Sequence, residues 1–231
     1  MEGVLAMFKK GQKWYRIEDV AEEYEDSRFS KGGKVLDKKE REYLLSLLEP
    51  DGKDILDIAT GTGRFAEALS EKGAEVVGLD ASREMLKQSR VESVQSDALK
   101  LPFKDDCFDL AVSMRFLHLL DPPQIKNFVS EVGRVTKEKF VFESLHPFSL
   151  RMLYQWALPQ GSRLYSNSFL KEELGHMPEV EKVRSHERFV VPYGIYQLMP
   201  LDLAEELIKV DEKISEEEKW LASTIYWEVY F

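Results

Sequence analysis

Cysteine is all but missing. Cys107 is the only one in 231 residues, which excludes an intramolecular disulfide framework. Four histidines and no Cys/His run with zinc-ligand spacing leave no metal site, so metal-free chemistry is expected. No stretch approaches the roughly 18 consecutive apolar residues of a membrane span, and Met1 to Phe8 gives way to lysines too early for a secretory h-region. The expectation is a cytoplasmic protein without a membrane span. Positive charge is also short: 32 Lys and Arg against 42 Asp and Glu give a net charge of −10 and a pI near 5.1. Such a surface repels polyphosphate, so no nucleic-acid partner is expected, and Lys9, Lys10, Lys13 and Arg16 read as a solvated face. No feature fixes the oligomeric state.

What is present describes a globular chain, 43% hydrophobic and 32% charged, of a length that suits one α/β domain. Ile17, Val20, Ala21 and Tyr24 share a helical face, and Ser27 to Val35 reads as a mobile linker. A second helix is expected to start at an Asp37/Glu40 capping pair, bury Leu44, Leu47 and Leu48, and stop at Pro50. Apolar runs then alternate with helices. Strands are expected at Asp54–Ile58, Glu75–Leu79, Ser93–Ser96, Phe108–Ser113 and Phe140–Glu143. The helices between them are marked by the Gly61–Gly63 turn, by Ser82, and by an Asp121/Gln124 capping box with Ile125, Phe128, Val129 and Val132 inward. This rhythm implies a mostly parallel sheet with helices on both faces. Beyond Ser144 an aromatic-rich segment with an amphipathic stretch, Phe148 to Ala157, reads as an insertion. Lys182–Val191 is expected to be a strand, Pro200–Ile208 a helix and Trp220–Phe231 a strand.

In an open parallel sheet a ligand binds at the carboxyl ends of the strands, where a glycine turn lets backbone amides approach it. Gly61 and Gly63 stand there, although Gly61 to Ala66 also satisfies the dinucleotide pattern G-x-G-x-x-G/A. Asp80 ends the second strand, seventeen residues after Gly63, where a carboxylate accepts from ribose hydroxyls. Both features are shared with nicotinamide enzymes. Asp97, ending the third strand before Ala98, is the feature that separates the two readings.

Three motifs in order carry a resemblance: Ile55 to Gly63, Val77 to Ser82 with Met85 and Leu86, and Asp97-Ala98 with Leu101-Pro102-Phe103 and Phe108-Asp109. Over residues Asp54 to Val135 the chain resembles class I S-adenosylmethionine (SAM) dependent methyltransferases, and within them the ubiquinone and menaquinone biosynthesis group. The resemblance implies a Rossmann-like, mostly parallel seven-stranded sheet in a single domain. Its parts would be an N-terminal helical cap (1–52), a SAM-binding core (53–145), a lid inserted after strand 5 (146–178) and C-terminal strands completing the sheet (179–231). It also implies SAM as cofactor and S-adenosylhomocysteine (SAH) as product. Asp57 would sit near the methionine amino group, with Ala59, Thr60, Gly61, Thr62 and Gly63 lining methionine and ribose. Asp80, beside Ala81, would hold the ribose hydroxyls, Met85 would pack on the adenine, and Asp97 with the Ala98 amide would read its edge. Ser113 and Met114 would complete the methionine pocket, and Tyr24 with Arg28 would close over the cofactor. Two departures stand out. Ala59 replaces the first glycine of the commoner motif, and the turn at Thr136 to Lys139 lacks the usual Pro-Gly-Gly.

The acceptor half carries no subfamily signature. His146 and His118 are the candidate bases, each also explicable as loop or capping chemistry. Trp156, Tyr165 and Phe169 form either a lid over an apolar or aromatic metabolite or ordinary core packing. Tyr193, Gly194 and Tyr196 either return to the same rim or make a turn with core tyrosines. A nicotinamide-dependent oxidoreductase and a catalytically silent SAM-binding regulator remain the rival functions.

Overall fold

The computed structural model describes residues 31–147 and 163–231. Its centre is one seven-stranded sheet: β1 (Asp54–Ile58), β2 (Glu75–Asp80), β3 (Glu92–Gln95), β4 (Phe108–Ser113), β5 (Thr136–Leu145), β6 (Lys182–Arg188) and β7 (Thr224–Tyr230). The spatial order is β3-β2-β1-β4-β5-β7-β6. The first five strands pair in parallel, and β7 runs antiparallel between β5 and β6. Strands covered on both faces read as unbroken apolar runs, which is why Asp54–Ile58 and Phe108–Ser113 match the expected bounds to the residue.

Alternation of side chains splits the core. Leu56, Ile58, Ala111, Phe140, Phe142 and Trp227 face one layer, which holds α4 (Pro122–Val135) and α5 (Asn167–Gly175). Ile55, Leu110, Val112, Val141 and Tyr226 face the other, covered by α1 (Gly33–Leu48), α2 (Arg64–Ser70) and α7 (Leu201–Glu217). Two short helices, α3 (Arg83–Leu86) and α6 (Tyr193–Leu198), complete the helices of the described residues. Ser82 caps α3 as expected, and the Asp121/Gln124 capping box opens α4. Among the described residues no helix is long and apolar enough to cross a membrane.

Three expectations change. The second predicted helix begins at Gly33, one turn before Asp37, and Gly32 makes no side-chain cap. Tertiary contact starts it: the Gly32 N–H donates to the Met199 carbonyl at 3.1 Å, and a Cβ on Gly32 would stand 2.5 Å from the Tyr196 carbonyl oxygen. Gly32 to Val35 is therefore not a linker, and Asp37 and Glu40 serve as ion-pair partners, Asp37 with Arg64 and Arg41, Glu40 with Arg115. Leu36, Leu44 and Leu48 lay α1 on a sheet face. The described end of the insertion is helical as well: α5 buries Leu170 and Leu174 completely. Finally, α7 runs nine residues past Ile208, and the last strand starts at Thr224 after a 3₁₀ turn at Lys219–Leu221. The helical faces expected at Ile17–Tyr24 and Phe148–Ala157 lie outside the described residues.

Candidate functional site

The carboxyl ends of β1 and β2 meet at the glycine turn. Ala59, Gly61 and Gly63 have φ of 59°, 61° and 86°, so three of five residues occupy the left-handed region. Ala59 carries there a steric cost of about 1–2 kcal/mol that glycine would avoid. At Gly63 a side chain is barred twice, by φ and by the Ser89 hydroxyl, which lies 2.5 Å from where a Cβ would stand. The Gly63 N–H closes the turn on the Thr60 carbonyl at 3.0 Å, and α2 starts at once.

Carboxylates hold the turn from below. Asp57, at 2% exposure, accepts the Thr60 hydroxyl at 2.6 Å and the Ala66 N–H in the first turn of α2. Burial pushes its carboxyl up to about 7, with the Asp80 charge adding and the two donors opposing. Asp80 accepts the Gly61 N–H at 3.0 Å with one oxygen and the Ser82 N–H at 2.8 Å with the other. A carboxylate offers about four lone-pair sites, so the same group can also accept from ligand hydroxyls. The next strand end repeats the device: Asp97 is exposed and accepts the Leu99 N–H at 2.9 Å, while Ala98 is buried beside it. The Ser96 N–H donates to the Asp80 carbonyl, which fixes the two strand ends relative to each other.

Across the switch from β1 to β4, the Ser113 hydroxyl donates to the Ile58 carbonyl at 2.9 Å. Met114 and Met85 are buried, at 6% and 3% exposure, Met114 within the layer under α1. Ala81 is exposed and Thr62 buried. The structure thus brings Asp57, the Ala59–Gly63 turn, Asp80, Ala81, Asp97, Ala98, Ser113 and Met114 to one edge of the sheet. Tyr24, Arg28 and Trp156 lie outside the described residues.

The histidines flank that edge. His118 lies in a 3₁₀ turn after β4 whose carbonyls are strapped by the following chain: the Arg163 N–H donates to the His118 carbonyl, and the Tyr165 hydroxyl to that of Leu120 at 2.6 Å. His146 follows β5, half-buried, its N–H donating to the Ser223 carbonyl. Burial lowers its pKa against the opposing Glu187 charge. Tyr165 and Phe169 stack at 5.3 Å on the core, and Tyr196 is fully buried with its hydroxyl on Asp211. These three pack as core. Tyr193 lies beneath the Arg115 guanidinium, 5.1 Å from ring to cation, in a helix and not a turn. Among the described residues no cluster suits a metal ion.

Sequence reasoning passed over Arg64 and Arg115. Arg64 follows β1 and its turn, Arg115 follows β4, and each is tied by its ion pair to α1, Arg115 with a φ of 58°. A charged residue directly after a turn motif is the only signal either carries in the sequence.

Comparison with known proteins identifies the family and the fold. A methyltransferase-domain family model matches residues 55–139. A demethylmenaquinone methyltransferase of Thermus thermophilus is 32% identical over 170 residues, 66% of this chain and 74% of that protein. One from Clavibacter sepedonicus is 39% identical over 95 residues, 37% of this chain. The chain spans only 38–45% of the length of that and two other curated relatives. Among solved structures, a SAM-dependent methyltransferase of Thermotoga maritima, described as a possible histamine N-methyltransferase, superposes with a TM-score of 0.68 at 20% identity, covering 94% of this chain and 99% of the other. The family model, the Thermus thermophilus relative and the shared fold point the same way, and the chain belongs to the class I SAM-dependent methyltransferases.

Proposed function

We propose that this chain moves the methyl group of SAM onto a small apolar or aromatic acceptor and releases SAH. The observation that carries the reading is the convergence of Asp57, Asp80 and Asp97 with the Gly61–Gly63 turn on one sheet edge. The residues suit the cofactor's charges: no cation pairs with Asp57 among the described residues, and a methionine ammonium would supply one. In this reading Asp80 takes the ribose hydroxyls, Asp97 and the Ala98 amide read the adenine, and Met85, Ser113 and Met114 complete the walls, with Tyr24 and Arg28 closing over them. Bound SAM supplies a methyl group already carried on an activated leaving group. The chain's own task is then to align the acceptor about 3 Å from that methyl, with His146 or His118 as base for an acceptor that needs one. A nicotinamide enzyme is disfavoured, because β7 enters antiparallel between β5 and β6 where the dinucleotide order runs 3-2-1-4-5-6.

Native mass spectrometry of the purified protein should reveal bound SAM or SAH, and labelled methyl should pass from SAM to a member of a metabolite panel. Failure to bind either compound in calorimetry overturns the reading. Binding with no transfer to any acceptor favours a silent regulator instead.

Two consequences are measurable on SAM alone. Asp80→Ala should weaken SAM binding by about 1.5–3 kcal/mol, or tenfold to a hundredfold, since it strands two ligand hydroxyls and frees the Gly61 amide; an unchanged Kd in a folded variant removes Asp80 from the ribose. Asp57 must ionise to meet an ammonium, so SAM affinity should climb by up to about tenfold per pH unit between pH 5 and 7 and level off above. A flat profile across that window, measured by calorimetry, would separate Asp57 from the cofactor.

A further inference from the structure

The strand register extends the cofactor edge into a region where neither sequence nor family resemblance named a residue. Ser113 pairs with Phe142, Phe142 with Trp227, and Trp227 with Ser185. One residue further along lies the row Met114, Glu143, Tyr226 and His186, with Glu143 directly opposite Tyr226 and Tyr226 opposite His186. Alternation turns this row to the face that carries Asp57 and α1. Neighbouring strands are about 4.8 Å apart, so Glu143 is one strand from the Met114 wall.

Two of its members are buried without hydrogen-bond partners. Glu143 is 4% exposed, and among the described residues no hydrogen bond or ion pair reaches its carboxylate. The Tyr226 hydroxyl is buried with no hydrogen-bond partner, and it stands in the fields of Glu143, Glu40 and Arg115. A carboxylate with so little exposure and no partner is poorly solvated, a deficit that a cation or a donor would offset. Asp80 and Asp97 place the nucleoside over β2 and β3, so the acceptor is left the β4–β5 side of the crevice. Glu143 stands on that side. His146, three residues on, lies past the end of β5.

We propose that Glu143 faces the methyl-transfer position and meets the acceptor there, which makes the acceptor a molecule bearing an O–H or N–H at the attacked atom. The proposal rests on the methyltransferase reading. In the step, the acceptor's lone pair forms the bond to the methyl carbon as the carbon–sulfur bond breaks with its electron pair going to sulfur, and the acceptor's proton passes to the Glu143 carboxylate. The products are neutral thioether, methylated acceptor and protonated Glu143.

Sinefungin tests this without knowledge of the acceptor, because it carries an amine where SAM carries the methylated sulfonium. Calorimetry should show wild type binding sinefungin at least about tenfold more tightly than SAH. Glu143→Gln should bring the two within about twofold while leaving SAH affinity unchanged, and Glu143→Asp should retain part of the preference. If wild type shows no preference, or if Glu143→Gln keeps it, the proposal fails. If wild type binds neither compound, the methyltransferase reading itself fails. Should Glu143→Gln not fold, the wild-type ratio and Glu143→Asp decide.

Discussion

Replacing Asp57 with asparagine should make the ligand-free protein more stable at pH 8. The carboxyl is nearly inaccessible and held at about 7, against an ordinary value of 3.8, chiefly by burial. A folded-state pKa raised above the unfolded one contributes stability that is complete below about pH 4 and is lost as pH rises to about 7. At pH 8 the ionised carboxylate therefore costs about 4 kcal/mol. Asparagine removes that cost but weakens the bonds from the Thr60 hydroxyl and the Ala66 amide, a loss of about 1.5–2 kcal/mol. The net gain is about 2 kcal/mol, or about 4–8 °C in Tm for a domain of this size. At pH 5 the two terms nearly cancel, so the gain should vanish. Calorimetric melts of both proteins at pH 5 and pH 8 check this, and an equal Tm difference at both would show that burial does not perturb Asp57. In the proposed function the same variant loses SAM affinity. In that reading stability is given up at a position that awaits a cation, as expected of a binding site.

Asp211→Ala should produce the largest loss of stability. Asp211 is fully buried in α7, and its carboxylate accepts the Val190 N–H at 2.6 Å, the Val191 N–H at 3.1 Å and the Tyr196 hydroxyl at 2.7 Å. It therefore fastens α7 to α6 and to the chain leaving β6. Burial raises its pKa, while the three donors pull it down. Alanine leaves the Val190 N–H and the Tyr196 hydroxyl buried and unsatisfied and the half-buried Val191 N–H without its partner, at a cost of about 3–5 kcal/mol. A Tm lower by about 10 °C is expected, with SAM affinity within about twofold of wild type because none of these groups reaches the strand ends that hold the glycine turn. A drop of less than about 2 °C would mean that water replaces the carboxylate.

The parts read correctly from the sequence share one property: their signals are local. β1 and β4 announce themselves as apolar runs, Ser82 and the Asp121/Gln124 pair as caps, and the glycine turn as a spacing, each decided within a few residues. The misread parts depend on distant partners. α7 continues past Ile208 through Lys209 to Glu217, a stretch with little apolar periodicity, because Asp211 and Ser215 are buried by contacts that no local pattern records. β5 extends to Thr136–Leu145 because β4 and β7 supply backbone partners on both sides.

The site divides in the same way. Asp57, Gly61, Gly63, Asp80 and Asp97 are legible because each lies at or within two residues of a strand end or makes the turn, so chain order alone brings them to one edge. The row of Met114, Glu143, Tyr226 and His186 is not legible, because its members come from strands 29, 83 and 40 positions apart in the chain. What joins them is the insertion of β7, antiparallel, between β5 and β6. The sequence by itself determined the edge that carries the glycine turn, through turns and strand ends whose conformations are set by neighbouring residues. Only the tertiary structure decided which buried acid stands beside it, since hydrogen-bond register between distant strands, not the order of residues, sets which side chains share a face.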